Sequence, residues 1–239
     1  MYQRVFSFLL QVYRAKYLLK NIDWNTTKAS SDHSLTQLSF KLRYRLIWFT
    51  DTLRSYLTET VIAPSTAEMI TKLGNAEDID AMAEIHAKYI SRLQAQCLLS
   101  KNLSPINQAI ISLLDLGVLF TDVLSQNCRK NTDSFRAQPS LSRDKRETRK
   151  PAQNRRRSVM PAPESSSDDD EEDDYDADAE STTSHEATFA ESLAKIQEQF
   201  DRLVPFVTAG LRSVSRAGGE VCWEMLAERL EWQISRSRS

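Results

Sequence analysis

Residues that could carry chemistry are few in this sequence and lie far apart. His86 is the one histidine inside a helical pattern, on a predicted apolar stripe with Tyr89 and Leu93. No carboxylate or cysteine lies three or four residues from it on that face. A general base or a metal ligand would need such a partner. A hydrogen-bonded histidine in the core is therefore the favoured interpretation of His86.

No known catalytic motif is present either. The sequence contains no GxxxxGK[ST], GxGxxG, GxSxG, HExxH or CxxC pattern. Cys97, Cys128 and Cys222 are too widely spaced for a metal pair or a disulfide framework. The acidic run at residues 168–174 would bind divalent ions only weakly, and such runs more often act as solvating segments. We predict no enzyme, no metal site and no cofactor.

The composition favours helices. There are 5 glycines in 239 residues, whereas average usage is roughly 7%. Sheet proteins need glycine at many turns, so this scarcity argues against them. No apolar run approaches the roughly 20 residues of a membrane helix, and the start does not resemble a signal peptide. The sequence predicts an all-α bundle of about seven helices, with a net charge of −2.

Apolar residues recur at spacings of three and four along most of the chain. The clearest stripe lies in residues 40–62 and ends near Pro64, which should bend or end the helix. We expect further helices at residues 2–22, 65–73, 106–124 and 189–211. Asn75 should cap a helix containing Ile79, Met82, His86, Tyr89 and Leu93. Gly218-Gly219 should break the chain before a last helix. The first stripe is predicted to contain Val5, Phe6, Leu9, Tyr13 and Tyr17.

A long charged segment interrupts this pattern. Residues 129–157 contain eleven Lys/Arg and three Asp/Glu, and residues 164–186 contain twelve Asp/Glu and no Lys/Arg. With so little apolar surface to bury, residues 129–187 should be a disordered, bipolar linker. Residues 1–128 and 188–239 would together form one bundle. Ser158 follows three arginines and Ser165, Ser166 and Ser167 precede acids, so these serines are possible phosphorylation sites.

Three consecutive residues of the 40–62 helix are candidates for partner contact. Arg43, Tyr44 and Arg45 point to different sides of a helix, so at least one arginine should be exposed. It is either a solvated surface charge or an interface anchor of the kind that arginine favours.

The order of these motifs resembles the C-terminal GRIP-type domain of gamma-tubulin complex components. The family's helix typically reads like LRxRMxxFVxxLxYYxxxxVI. Its next helices contain a D-x-D…H-x-x-(Y/F)-L…C-L-L run, and it closes with RLDFN. The matching residues here are Leu42, Arg43, Tyr44, Arg45, Leu46, Phe49, Leu53, Tyr56, Val61, Ile62, then Asp78, Asp80, His86, Tyr89, Leu93, Cys97, Leu98, Leu99, and finally Arg229, Leu230, Glu231, Trp232 and Gln233.

The sequence also departs from the family pattern. Pro64 is followed by Ser65-Thr66-Ala67, where the family often has a tryptophan, and the charged insertion is not common. We interpret the chain as a divergent member, of a fungal, accessory type. The first helical stripe begins within a turn of Met1. We therefore expect an N-terminally truncated piece of a longer protein or a late start codon, with an exposed apolar face near Val5 and Leu9.

The resemblance implies a structural role. The C-terminal domain of the family binds gamma-tubulin, and the assembled complex templates microtubule nucleation at microtubule-organising centres and spindle poles. Expected partners are gamma-tubulin and other complex components in the cytoplasm and cytoskeleton, with no nucleic acid and no membrane. Arg43, Tyr44, Arg45 and Glu231 are the candidate partner-binding residues. The alternative is a helical adaptor that acts through its charged linker on chromatin or another charged partner.

Overall fold

The computed structural model describes residues 2–22, 33–137 and 177–236, and these residues are helical, with short turns and no strand. Residues 23–32 and the 39 residues at 138–176 lie outside the described part, and the second range contains the four predicted phosphorylation sites, Ser158, Ser165, Ser166 and Ser167. Seven α-helices are described: α1 (Tyr2–Lys20), α2 (His33–Ser55), α3 (Ala63–Gly74), α4 (Ile79–Gln96), α5 (Ser104–Ala137), α6 (Ala177–Arg216) and α7 (Val221–Arg236).

A π-helical segment, Tyr56–Ile62, joins α2 to α3 without a break. The backbone at Ser55, Ile62 and Ala63 is right-handed helical, and the N–H of Ala63 donates to the carbonyl of Thr58, five residues earlier. Proline has no N–H, and its ring collides with the carbonyl four residues before it. We attribute the wider π turn to Pro64, which lies in the first turn of α3. The prediction that Pro64 would bend or end the helix is wrong in position, because α2 ends at Ser55 and the chain stays helical through Pro64.

Five helices surround the core. Helix α1 packs on α2 and α5, α5 packs on α6, and α6 packs on α7, which returns to α2. Gly117 allows the close approach of α1 and α5, because a Cβ there would lie 3.3 Å from Leu19 Cδ1. The fully buried large side chains come from most of these helices and include Tyr56, Phe49, Phe120, Leu19, Leu42, Leu46, Leu53 and Leu113. The predicted all-α bundle is confirmed for the described residues.

Two of the predicted stripes are wrong in detail. Helix α1 buries the face formed by Val5, Phe8, Val12, Ala15 and Leu19. Because the residues of this face are smaller, they fit the close contact between α1 and α5, and the aromatic side of α1 remains exposed to solvent. In α4, burial is confined to Ile90, Leu93 and Gln96, near the C-terminal end. The N-terminal half of α4 packs mainly on α3, and His86 is exposed. The interpretation of a core histidine was therefore wrong.

The ends of α4 depend on local hydrogen bonds. Asp78, rather than the predicted Asn75, is the N-cap, and its Oδ1 accepts from the N–H of Ala81 at 2.6 Å. At the other end the N–H of Leu99 donates to Gln94 O, and that of Leu98 to Ala95 O. This pair of bonds is a Schellman motif, which needs a left-handed residue at Leu98. Leu98 has φ 64° and is fully buried.

The last two helices are separated as predicted at Gly218-Gly219. Gly218 has φ +93°, and a Cβ on Gly219 would lie 2.4 Å from Cζ3 of Trp223 and 2.6 Å from the carbonyl oxygen of Val214. Only glycine therefore fits this turn without a shift of its neighbours. Helix α5 continues to Ala137 and α6 begins at Ala177, so both helices extend into the segment predicted as linker.

One stretch of the described chain is apolar enough to cross a bilayer by composition. The helical region Ile79–Arg129 contains an 18-residue window with a mean hydropathy of 1.5. Half of that window is buried inside the bundle. The core helix of a helical bundle has the same composition.

Leu98 offers a test of this turn. We expect Leu98→Ala to lower the free energy of unfolding by about 2–5 kcal/mol, because a buried leucine is lost. Leu98→Gly should be about 1 kcal/mol more stable than Leu98→Ala, because glycine adopts positive φ without strain. Urea unfolding measures both. At Leu46, buried in α2, the same pair should show the opposite order. If the glycine variant were less stable than the alanine variant at Leu98 as well as at Leu46, the account of the turn would be contradicted.

Candidate partner-binding surface

Arg43 closes the C-terminal end of α1. Its Nε donates to the carbonyl oxygen of Leu19 at 2.9 Å, and its Nη2 donates to that of Lys20 at 3.1 Å. The last carbonyls of a helix lack intrahelical partners, and a cation there is favourable with the helix dipole. Desolvation lowers the pKa of the guanidinium from its ordinary value. This position explains why an arginine is useful here independently of any partner protein.

Arg45 joins α2 to α6. Its guanidinium pairs with Asp201, and its Cζ lies 4.6 Å from the centroid of the Phe200 ring. Phe200 in turn meets Phe49 edge-on, with ring centroids 6.3 Å apart. The cation and the ring attract each other in this arrangement. With 15% of its side chain exposed, Arg45 offers little surface to a partner.

Glu231, like Arg43 and Arg45, binds a group of the chain itself, whereas Tyr44 is exposed to solvent. Glu231 forms a two-point ion pair with Arg212, in which Nη1 donates to Oε1 at 2.9 Å and Nη2 donates to Oε2. This pair fastens α7 to α6. Tyr44 is 64% exposed on α2. Of the four candidate residues, Tyr44 therefore presents the most surface, while the other three bind groups of the chain itself. The structure does not bring the four together as one patch.

A large apolar surface lies on the outer side of α1, and we call it the α1 face. Five large side chains repeat at spacings of four, four, three and four along the helix. They are Tyr2 (49% exposed), Phe6 (61%), Leu10 (52%), Tyr13 (46%) and Tyr17 (67%). Half-exposed side chains of this size present on the order of 500 Å² of surface, which is near the upper end for one patch on a monomer. Patches of that size mark interaction sites.

A groove of about 510 Å³ continues the α1 face at its N-terminal end. Its walls come from α1, the end of the π segment and α4, through Phe6, Leu9, Ile62, Tyr89 and Leu93. The lining is almost wholly apolar, as in sites that take a side chain from a partner.

One polar pair stands beside this groove. The hydroxyl of Tyr2, which lines it, is hydrogen-bonded to Nε2 of His86 at 2.8 Å, and the two ring centroids are 5.7 Å apart. His86 therefore holds the start of α1 against α4. The hydrogen-bonded structural role predicted for His86 is present, but on the surface.

A buried polar network lies elsewhere, between the π segment and α7. The Tyr56 hydroxyl donates to the carbonyl oxygen of Gln96 at 2.6 Å and to Sγ of Cys222 at 3.4 Å. Burial raises the pKa of Tyr56 well above its ordinary value. Burial also raises the pKa of Cys97 to about 12, with a further contribution from Cys222. These groups stay neutral at physiological pH, so the network holds no activated nucleophile.

Side chains that could ligate a metal are scattered over the described ranges. Among them there is no group of three His, Cys, Asp or Glu side chains that could hold a metal ion. The exposed apolar face expected near Val5 and Leu9 is present on α1, but it lies on other residues. Val5 is buried, whereas Phe6, Tyr13 and Tyr17, predicted to lie on the same stripe as Val5, are exposed. The signal was present: α1 has two apolar stripes, and a single helix in a bundle of this kind can bury only one of them fully.

The Arg45–Asp201 pair provides a test of the internal role of Arg45. A double-mutant cycle with Arg45→Ala and Asp201→Ala should give a coupling free energy of about 1 kcal/mol in urea unfolding. The exposed Lys88–Glu84 pair of α4 is the control and should give a clearly smaller coupling, because solvent screens both charges. A coupling of zero for Arg45 and Asp201 would leave Arg45 available for a partner.

Comparison with known proteins extends the sequence resemblance. The family model for the C-terminal region of gamma-tubulin complex components matches residues 1–233. Among curated relatives, gamma-tubulin complex component 5 of Macaca fascicularis is 30% identical over 83 residues, which cover 35% of this chain and 11% of that protein. The mouse (Mus musculus) component 5 is 26% identical over 146 residues, covering 51% of this chain and 14% of the relative.

A second component is also similar. Gamma-tubulin complex component 6 of Mus musculus is 25% identical over 132 residues, which cover 53% of this chain and 8% of that protein. The alignments thus span at most 14% of the length of these three relatives. The family match, in contrast, covers all the helices described above and ends within α7. This chain belongs to the gamma-tubulin complex component family, in the part that corresponds to its C-terminal domain.

Proposed function

We propose that this chain binds gamma-tubulin as part of a gamma-tubulin complex and so supports microtubule nucleation. It would act in the cytoplasm, at microtubule-organising centres that include spindle poles, together with other complex components. The observation that carries this proposal is the family match over residues 1–233, which spans the whole helical bundle. The family's C-terminal domain is its gamma-tubulin-binding part, as the sequence resemblance implies.

The physical properties of the bundle support a binding role. Its buried titratable groups are neutral, and its surface has a large apolar face on α1 and an exposed tyrosine, Tyr44, on α2. Tyrosine is frequent among residues that dominate interface energies, because it combines a large apolar ring with a polar end. A rigid helical scaffold with such residues suits the assembly of a larger complex and requires no chemical step.

Capture of purified gamma-tubulin tests the proposal. The intact chain is compared with a variant in which residues 138–176 are replaced by an uncharged Gly/Ser segment of equal length, which keeps the reach between α5 and α6. We expect the two to capture gamma-tubulin within about twofold of each other at both about 50 and 150 mM salt. Binding through charges of the linker would instead fall steeply with salt.

Two outcomes would contradict the proposal. Loss of capture by the Gly/Ser variant would favour the alternative, an adaptor that works through its charged linker. Failure of both proteins to capture gamma-tubulin, when both are folded by circular dichroism, would exclude direct binding by this part of the chain. Tyr44→Ala adds a point test: it should weaken capture at least fivefold, whereas Ile70→Ala, at an equally exposed position of α3, should not.

A further inference from the structure

The α1 face combines exposed aromatic residues with a positive charge. Helix α1 contains Arg4, Arg14, Lys16 and Lys20 and no acidic residue. Lys16 pairs with Asp51 of α2, whereas Arg4, Arg14 and Lys20 are exposed. Arg4 lies about 160° around the helix from the centre of the stripe, and its guanidinium donates to the carbonyl oxygen of Leu99, after α4, at 3.3 Å. Arg14 and Lys20 are thus the exposed cations beside the apolar stripe.

The shape of the surface selects the kind of partner. The stripe from Tyr2 to Tyr17 is about 22 Å long, the length of a helix of about 15 residues. The described residues offer no strand edge to which an extended peptide could add, and the backbone N–H and C=O groups within α1 bond inside the helix. A partner segment must therefore satisfy its own backbone, as an α-helix does. Helices dock in this way with anchors at spacings of three and four, which also match the α1 face.

Three other occupants fit less well. A second copy would place α1 against α1, and the exposed cations beside each stripe, Arg14 and Lys20, would repel those of the other copy. A flat bilayer surface cannot fill the recess between Phe6, Ile62 and Leu93. The chain's own acidic run, residues 164–176, contains a single large apolar residue, Tyr175, and cannot cover a stripe of five.

We propose that the α1 face and its groove dock an amphipathic helix of a partner protein, with an apolar stripe against Phe6, Leu10 and Tyr13 and acidic residues toward Arg14 and Lys20. The groove beside Phe6 takes a large apolar side chain of that helix. This site is independent of gamma-tubulin binding and adds a second kind of contact by which the chain joins an assembly. Opposite charges across such a surface chiefly raise the association rate and the specificity.

A set of designed helical peptides tests the proposal on the intact chain. Three fluorescent peptides of equal length are used: a leucine/glutamate amphipathic helix, a leucine/lysine counterpart and a scrambled leucine/glutamate peptide without an apolar stripe. Fluorescence anisotropy at about 150 mM salt measures binding. We expect the acidic amphipathic peptide to bind at least tenfold more tightly than either of the others.

Point variants locate the site. Phe6→Asp, Leu10→Asp and the double variant Arg14→Glu/Lys20→Glu should each weaken binding of the acidic peptide at least tenfold. Matched controls at other exposed positions, Ile79→Asp on α4 and Arg202→Glu on α6, should leave it unchanged. All substituted side chains are exposed, so the variants should keep the circular dichroism and unfolding midpoint of the parent chain.

Several results would overturn the proposal. Equal binding of the three peptides, or a loss in the control variants equal to that at Phe6 and Leu10, would mean that the α1 face does not select an acidic helix. Co-sedimentation with phosphatidylserine vesicles that Phe6→Asp abolishes would assign the face to a lipid surface. A dimer in sedimentation velocity that Leu10→Asp dissociates would assign it to a second copy.

Discussion

The arrangement of the bundle depends on the buried side chain and carbonyl of Gln96, at the last residue of α4. Its carbonyl accepts from Tyr56 of the π segment, its Oε1 accepts from Ser65 of α3 at 3.2 Å, and its Nε2 donates to Glu220 before α7 at 3.1 Å. Two separate parts of the chain thus satisfy the side-chain amide of Gln96, a third satisfies its backbone carbonyl, and the residue is only 6% exposed. A buried polar group without partners is costly, so this amide permits one relative placement of these elements and few others.

That placement explains two further features of the structure. The π segment places Tyr56 next to Gln96 and leads into Pro64. One irregular turn therefore brings Tyr56 into the hydrogen-bond network and also accommodates the proline. The Schellman motif after Gln96 turns the chain sharply toward α5, and the buried Leu98 side chain compensates the strain of its positive φ. With α4 fixed by its C-terminal end, Tyr89 and Leu93 in that half of α4 form the walls of an open groove together with α1, and the outer side of α1 stays uncovered.

The helices could be predicted from the sequence, because apolar residues at spacings of three and four identify long helices. Glycine and proline mark the ends of these helices. The faces they bury could be predicted less well. Helix α1 has two apolar stripes, and the choice between them depends on Ala15 and Gly117 meeting at close range, a tertiary contact that no local pattern encodes. Likewise, Arg43, Arg45 and Glu231 match the family motifs, yet their partners are Leu19, Asp201 and Arg212, which lie 24, 156 and 19 residues away. Residue type alone does not distinguish an arginine that caps a helix from one that contacts another protein.

The central claim is that the helical bundle, and not its charged segment, is the part that joins a gamma-tubulin complex. Hydrogen–deuterium exchange of the intact chain, alone and with an excess of purified gamma-tubulin, tests it most directly, because it reports where binding slows the opening of backbone hydrogen bonds. The account predicts slower exchange in peptides from the bundle, including α2 around Tyr44, and unchanged exchange in peptides from residues 138–176. Slower exchange confined to residues 138–176 would contradict it.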